Sequence, residues 1–178
     1  LREACDKYKL HLIVDEIAVG FGRTGTMFAY EKSNITPDII CLSKGITGGY
    51  MTLSTILTND NIYNAFYDEY IKLNAFLHSH SYTANPLACT AANASLDLFK
   101  NNNVINNNKI LSKYILKSLT EISKHPNVSD VRQHGMIAAI ELAKNKSKKI
   151  PYSWKERRGL RAYEYGLKNN VLIRPLGN

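Results

Sequence analysis

Two ionisable residues, Asp15 and Lys44, lie just after short apolar runs of the sequence, at residues 12–14 and 38–42. Both runs are rich in β-branched and aliphatic side chains, which is typical of fully buried strands in a parallel sheet. The carboxyl ends of parallel strands share one edge of a sheet, where ligands bind in open α/β folds. An amine there can form a Schiff base with a carbonyl, and a carboxylate can hold a proton on a ring nitrogen. Together they suit pyridoxal phosphate.

Glycines follow both residues and distinguish them from ordinary strand-end or surface positions. Three glycines within five residues of Lys44 predict a tight turn of the backbone beyond its amine. The sequence GFGRTG at residues 20–25 fits the G-x-G-x-x-G fingerprint of dinucleotide-binding proteins. However, residues 26–32 are too few for the helix that this fingerprint requires, and the next strand ends near a lysine instead of an acid. We therefore interpret these glycines as a loop that shapes the cofactor face.

Three motifs in order carry a resemblance to a known family: DEIAVGFGRTG at residues 15–25, PDIICLSK at 37–44 and TGGYMTLS at 47–54. Together with IRPLG at 173–177, they resemble the class III aminotransferases, which are pyridoxal phosphate enzymes of fold type I. The similarity runs from about residue 10 to residue 86 and reappears near residue 174. Many members carry glutamine two residues after the glutamate. This chain has Ala18 there, as does the branch of the family that acts in biotin synthesis.

The resemblance implies an α/β fold with a large cofactor-binding domain and a small C-terminal domain. An Asn-rich stretch, which coincides with a break in the charge distribution, places the boundary between them. Residues 1–100 are therefore expected to form part of the large domain, residues 101–108 an Asn-rich linker, and residues 109–178 part of the small domain. It also implies that Lys44 holds the cofactor covalently and moves a proton, while Asp15 keeps the ring nitrogen protonated.

Further site residues follow from the same resemblance. Ser81, with His80 beside it, corresponds to the position that binds the cofactor phosphate across a dimer interface, so a homodimer with shared active sites is expected. Ser79 corresponds to a residue near the substrate, and Arg174 to an arginine that grips a substrate carboxylate. Arg23, in the glycine loop, is a second and weaker candidate for substrate contact.

The activity implied is that of the biotin branch. It transfers an amino group to 8-amino-7-oxononanoate and yields 7,8-diaminononanoate. S-adenosylmethionine is the usual amino donor, and lysine is a possible one because the residues Ser79-His80-Ser81 vary from the common pattern. The alternative within the family is an aminotransferase that acts on another ω-amino acid or diamine.

Charge is unevenly distributed along the chain. Residues 1–108 carry 8 basic and 10 acidic side chains, a net charge of −2, whereas residues 109–178 carry 15 and 5, a net charge of +10. A basic binding module without catalysis is therefore the alternative from another functional class. No aromatic-basic interleaving or binding motif accompanies the basic residues at 144–161. We interpret them as a solvated face and expect no nucleic-acid partner.

The three cysteines, Cys5, Cys41 and Cys89, show no spacing typical of disulfides or metal sites, which favours the cytoplasm. His78 and His80 lack a third ligand, so no metal is expected. No apolar run is long enough for a membrane span, and no membrane partner is expected. The chain begins without methionine, and the resemblance implies a longer protein, so an internal fragment is expected.

Hydrophobic periodicity and turn residues predict the secondary structure. The predicted helices are residues 1–9, 60–73, a helix beginning at Asn85-Pro86, 109–124 and 154–168. The predicted strands are residues 10–16, 38–43, 52–58, 136–140 and 171–174.

Overall fold

The computed structural model describes residues 1–177, and the chain divides into two units, Leu1–Ile110 and Leu111–Asn178. The helices and strands of the first unit are α1 (Arg2–Tyr8), β1 (Ile13–Asp15), β2 (Ile39–Leu42), β3 (Thr55–Thr58), α2 (Asp60–Asn64) and α3 (Pro86–Asn101). Helix α4 (Val104–Ile122) begins in the first unit and continues into the second, which also contains β4 (Val128–His134), β5 (Ile137–Leu142) and α5 (Arg158–Lys168).

The first unit is built on a three-stranded sheet in the order β1-β2-β3. Strands β1 and β2 are parallel, as predicted, and Asp15 lies opposite Cys41 in their register. Strand β3 pairs antiparallel with β2 and begins at Thr55, three residues later than expected. The parallel pairing brings the carboxyl ends of β1 and β2 to the same edge of the sheet.

One face of this sheet is covered and the other is open. Leu42 belongs to a buried cluster with Phe21, Ile46 and Ala92. On the opposite face, Ile13 is 58% exposed. The prediction of fully buried strands was therefore wrong for β1, because within residues 1–177 this face borders a cavity and is not covered by a layer of helices.

Asp38 joins the beginnings of both parallel strands to α1. Its Oδ2 accepts hydrogen bonds from the backbone amide of Leu12 at 2.7 Å and from Arg2 Nη1 at 2.8 Å. The bond from the Leu12 amide, and then that from the guanidinium, lower the pKa of the Asp38 carboxyl below its ordinary value. The backbone amides of Asp38 and Ile39 in turn donate to the Leu12 carbonyl. This cluster fixes the register of β1 against β2.

Helix α3 begins as predicted, whereas α2 is shorter than predicted. The Asn85 side chain caps α3 by accepting from the amides of Leu87 and Ala88, and Pro86 occupies the first turn. The helix expected over residues 60–73 ends at Asn64, with a separate 3-10 turn at Tyr70–Lys72. Asp68 explains the interruption, because its side chain accepts from the neighbouring backbone amide and from Lys72.

Three tyrosines of this region are largely exposed. Tyr63 and Tyr67 stack on each other with ring centroids 5.3 Å apart, and Tyr70 is 92% exposed. Within the described chain, ring contacts of these tyrosines are limited to the stack between Tyr63 and Tyr67.

The Asn-rich stretch that was predicted as a linker is mostly helical. Helix α3 ends at Asn101, and α4 already begins at Val104, five residues before the predicted start. Asparagine side chains bond to each other and to the backbone at this junction, since Asn106 Nδ2 donates to Asn103 Oδ1 at 2.6 Å and Asn107 Nδ2 to Asn102 O at 3.1 Å. These bonds satisfy polar groups at a helix terminus. The assignment of the units to a large and a small domain remains a prediction.

The second unit is organised by an antiparallel hairpin of β4 and β5. Strand β5 was predicted, but β4 was not, because its polar sequence VSDVRQH lacks an apolar run and depends on its partner. Gln133 Nε2 ties the hairpin to α4 by donating to the Ser112 carbonyl at 2.7 Å and to the Gly135 carbonyl at 2.9 Å.

The C-terminal helix and strand predictions need correction. Residues Trp154–Glu156 form a 3-10 turn, and α5 begins only at Arg158. The strand expected over residues 171–174 is absent from the described chain. The Val171 amide instead donates to the Gly166 carbonyl at 2.9 Å, which turns the chain back at the helix end. No helix within residues 1–177 is sufficiently long and apolar to cross a membrane.

Candidate active site at the strand ends

Lys44 follows Ser43, which is the first residue after the carboxyl end of β2. It begins a 3-10 turn, Lys44–Thr47, and its backbone has a φ of 47°, in the left-handed region. The side chain is exposed, and Nζ makes no hydrogen bond or ion pair with any residue from 1 to 177. The amine is therefore available to a ligand at this edge of the sheet.

Asp15 is the last residue of β1, at the same edge of the sheet. Its Oδ1 accepts from the Ile17 amide at 2.9 Å, which orients the carboxylate, and its Oδ2 has no hydrogen-bond partner among the described residues. The adjacent Glu16 amide donates to the Cys41 carbonyl at 3.0 Å, so the strands remain paired to their ends. The structure thus brings Asp15 and Lys44 to one edge, as the sequence predicted.

Glu16 contributes to this edge in a way that the sequence analysis missed. Its side chain is 2% exposed, and its two carboxylate oxygens accept from the backbone amides of Ala29 and Tyr30, each at 2.9 Å. These bonds fix the far end of the glycine loop to the end of β1. A second acid directly after Asp15 was the available signal, because a buried acid needs partners and backbone amides can supply them.

The glycine loop packs against the turn that carries Lys44. Gly45 lies beneath Phe21, and a Cβ on this glycine would come within 2.7 Å of the phenylalanine Cβ. Gly22, with a φ of +84°, leaves room for Asn108, whose Nδ2 donates to the Gly22 carbonyl at 3.3 Å. Between the loop and β2, a segment that the structure describes throughout, there is only a 3-10 turn, Ala29–Ser33, so the helix of a dinucleotide fingerprint is not formed.

Arg23 extends from this loop as an exposed residue and makes no hydrogen bond or ion pair within the described chain. Its neighbour Thr24 is 3% exposed, and its carbonyl accepts a bond from Lys32. The loop backbone around Arg23 is thus held in place while its guanidinium remains available. A role in substrate contact stays a prediction.

Ser79, His80 and Ser81 lie together in an exposed segment before α3. His80 is held in a tight turn, because its amide donates to Thr83 Oγ1 at 3.0 Å and its Nδ1 accepts from the Tyr82 amide at 3.1 Å. The two serine hydroxyls point to no partner within residues 1–177. Their contacts with a phosphate and a substrate stay predictions.

A cavity of about 1570 Å³ lies on the open face of the sheet. It is lined mainly by apolar and aromatic side chains and includes His80, but Asp15, Lys44 and Ser81 are not among its lining residues. No group of three or more His, Cys, Asp or Glu residues within 1–177 could hold a metal ion. We place the candidate site at the strand ends because an exposed amine and a carboxylate lie at this edge, and the cavity lining lacks such a pair.

Arg174 lies in the second unit, within an exposed and extended segment that follows α5. Its neighbours Ile173 and Pro175 form no strand, and the arginine has no ion-pair partner among the described residues. Its role in binding a carboxylate remains a prediction.

Comparison with known proteins covers the whole chain. The profile of the class-III aminotransferases matches residues 1–178. The adenosylmethionine-8-amino-7-oxononanoate aminotransferase of Geobacter sulfurreducens is 48% identical over 181 residues, which cover 100% of this chain and 39% of that protein. The protein of the same name from Helicobacter pylori is 49% identical over 178 residues, covering 98% of this chain and 39% of that protein. The chain thus spans 39% of the length of these relatives.

Solved structures give the same result for the fold. The crystal structure of adenosylmethionine-8-amino-7-oxononanoate aminotransferase from Methanocaldococcus jannaschii has a TM-score of 0.92 at 41% identity, covering 99% of this chain and 41% of that one. An (S)-enantioselective omega-transaminase from Thermomicrobium roseum has a TM-score of 0.89 at 29% identity, covering 99% and 39%. The predicted α/β transaminase fold is confirmed.

Proposed function

We propose, from the premise that this chain belongs to the class III aminotransferase family, that it forms the catalytic centre of a pyridoxal phosphate enzyme that aminates 8-amino-7-oxononanoate. The observation that carries the proposal is that Asp15 and Lys44 lie at the same edge of the sheet, at or just after the ends of adjacent parallel strands. Relatives that are 48% and 49% identical carry this substrate in their names, which supports the choice of substrate.

The residues at this edge fit the proposed cofactor by their chemistry. Lys44 offers an unpaired amine for an aldehyde, and Asp15 offers a carboxylate oxygen without a partner for a protonated ring nitrogen. In our proposal Lys44 holds the cofactor covalently, Asp15 binds its ring nitrogen, and Ser81 and His80 bind its phosphate. When bound, pyridoxal phosphate supplies an electron sink for the carbon that carries the amino group.

The protein side chains then perform two tasks. Asp15 keeps a proton on the ring nitrogen, because a carboxylate beside a cation favours the charged form of both partners. Lys44 Nζ would accept the proton from the amine-bearing carbon of the substrate, as a general base, and would donate it to the former aldehyde carbon of the cofactor, as a general acid. The left-handed backbone at Lys44 and the packed glycine loop fix the position of the Lys44 Cα, from which the amine extends.

A donor and acceptor assay tests the proposed function. A family-length protein that carries this chain is expected to convert 8-amino-7-oxononanoate to 7,8-diaminononanoate with S-adenosylmethionine, or with lysine, as amino donor. Product formation is measured by mass spectrometry, with the Lys44→Arg variant as control. Turnover of ω-amino acids with pyruvate, and none of 8-amino-7-oxononanoate with either donor, would refute the substrate.

The second candidate within the family is an ω-amino acid or diamine aminotransferase, favoured by the structural similarity to an omega-transaminase at a TM-score of 0.89. The same assay separates it from the biotin-pathway reaction. A basic binding module would bind no cofactor, so absorbance of bound pyridoxal phosphate separates it from both enzymes. The three cysteines are free, which supports our proposal of a cytoplasmic enzyme.

Arg174 is proposed to orient the carboxylate of the substrate. Loss of a charge-assisted hydrogen bond costs roughly 1.5–3 kcal/mol, so Arg174→Ala should lower kcat/KM for the carboxylate-bearing substrate by about one to two orders of magnitude. Cofactor absorbance should remain unchanged. Arg161→Ala, which replaces an exposed arginine of α5, is the control. An unchanged kcat/KM in Arg174→Ala would remove this residue from the substrate site.

We further propose a homodimer in which Ser81 of one protomer binds the cofactor phosphate of the other. Mixing Lys44→Ala and Ser81→Asp chains of the family-length protein should then restore activity above that of either variant. One site of each heterodimer would carry both lesions, and the other would be intact. Absence of recovery in heterodimers verified by native mass spectrometry would show that each chain builds its own site.

A further inference from the structure

The backbone at Lys44 adopts a conformation that its surroundings must maintain. Its φ of 47° lies in the left-handed region, which is unfavourable for a residue with a side chain. Hydrogen bonds hold both of its neighbours. Ser43 Oγ donates to the Leu53 carbonyl at 2.7 Å, and the Gly45 carbonyl accepts from Ser95 Oγ at 3.3 Å. The strain at the lysine is thus balanced by contacts on either side.

Ser95 is a buried hydroxyl on a helix face of small and apolar residues. It is 9% exposed, one turn beyond Ala92, which belongs to the buried cluster with Ile46. Helix α3 therefore lies against the turn that begins at Lys44, and the serine is the residue of its buried face that supplies a hydroxyl. Its bond spans 50 positions of the sequence, so it is not a local helix contact.

Phe21 covers Gly45, the residue whose carbonyl Ser95 contacts. A Cβ placed on Gly45 would meet the Phe21 ring atoms at 2.8 and 3.0 Å, which shows how closely the ring covers the glycine. Gly45 thus lies against the Phe21 ring, and its carbonyl accepts from the Ser95 hydroxyl at 3.3 Å and from the Gly48 amide at 3.1 Å. Rotation of the Lys44–Gly45 peptide, which would release the left-handed conformation, would move Gly45 and therefore strain the bonds to its carbonyl or displace the ring.

We propose that Ser95 is a positioning residue for Lys44. By holding the Gly45 carbonyl, it keeps the lysine backbone left-handed and directs the amine to the cofactor aldehyde and, later, to the proton that it moves. The inference rests on the proposed function, and it goes beyond it by assigning a role to a residue that need not touch cofactor or substrate.

Three variants of the family-length protein test this role. Ser95→Ala removes the hydroxyl, and Ser95→Thr retains it. Thr90→Ala is the matched control, because Thr90 lies on the same helix and its hydroxyl donates to the Pro86 carbonyl at 2.8 Å, away from the lysine turn. If Ser95→Ala does not fold, Ser95→Cys preserves most of the volume and donates a hydrogen bond only weakly.

Two quantities are measured besides thermal stability. The first is the rate at which pyridoxal phosphate, added to cofactor-free protein, becomes linked to Lys44, followed by borohydride trapping and peptide mass spectrometry. The second is kcat per trapped site together with KM for each substrate. We expect Ser95→Ala to lower the linkage rate and kcat by about fivefold each, the effect of one lost hydrogen bond, with KM within twofold. Ser95→Thr and Thr90→Ala should match the parent.

The outcomes separate the possible failures. A lower melting temperature in Ser95→Ala with an unchanged linkage rate and an unchanged kcat per trapped site would overturn the positioning role and leave Ser95 a packing residue. A parent protein that forms no trapped adduct at Lys44 would defeat the proposed function itself, and this inference with it.

Discussion

Replacement of Lys44 by arginine is expected to abolish transamination while leaving the cofactor bound without a covalent link. The guanidinium keeps a positive charge at the end of β2, but it cannot condense with an aldehyde or release a proton near neutral pH. A missing general base alone lowers rates by about 10²–10⁴-fold, and loss of the covalent link adds to this. We therefore expect a decrease of at least about 10⁴-fold, measured in single-turnover experiments with the amino donor.

Two comparisons make this result specific. Borohydride reduction of the parent protein should place the pyridoxyl group on the peptide that contains Lys44, and reduction of Lys44→Arg should yield no adduct. Lys100→Arg, an exposed lysine of α3, should behave like the parent in both measurements. An adduct on another lysine of the parent protein would remove Lys44 from its assigned role.

Substitution of Asp15 by asparagine is expected to lower turnover by several orders of magnitude with little loss of stability. Asparagine keeps the Oδ1 acceptor for the Ile17 amide, a 2.9 Å bond, so the end of β1 should retain its conformation. It lacks the negative charge that would hold a proton on the ring nitrogen. The electron sink should therefore weaken while the cofactor still binds.

The measurements for Asp15→Asn are kcat, the thermal unfolding midpoint and the absorbance of bound cofactor. Asp97→Asn, which replaces an exposed acid of α3, is the isosteric control and should leave all three unchanged. Near-parent turnover in Asp15→Asn would contradict a role in holding the ring proton. Reduced turnover with a matching loss of folded protein would show a structural effect instead.

The parts of the site that the sequence predicted are those governed by local patterns. Two apolar runs and the polar residues after them were sufficient to place Asp15 and Lys44 at one edge of a parallel sheet, since strand direction fixes which ends meet. The start of α3 was equally predictable, because the adjacent residues Asn85 and Pro86 form a helix-capping pattern. Such features depend on neighbours in the sequence.

Features that depend on distant partners were missed. The buried Glu16 carboxylate accepts from two backbone amides that lie 13 and 14 residues away. The residues next to Glu16 in the sequence do not indicate which amides these are. Strand β4 has a polar sequence and is formed by pairing with β5. Conversely, residues 171–174 have the composition of a strand but find no strand partner in the described chain. Composition alone cannot supply a partner strand.

The cluster at Asp38 makes the competence of the site an all-or-none property. Side chains alternate between the two faces of a strand, so slippage of β1 by one residue would turn Asp15 away from its face and put Val14 in its place. No intermediate register exists. Weakening of Arg2 or Asp38 should therefore change how many molecules have a working site, and not how fast each working site turns over. The fraction of molecules with an active site, and not the rate constant of each site, is therefore the quantity that reports on the contact between α1 and Asp38.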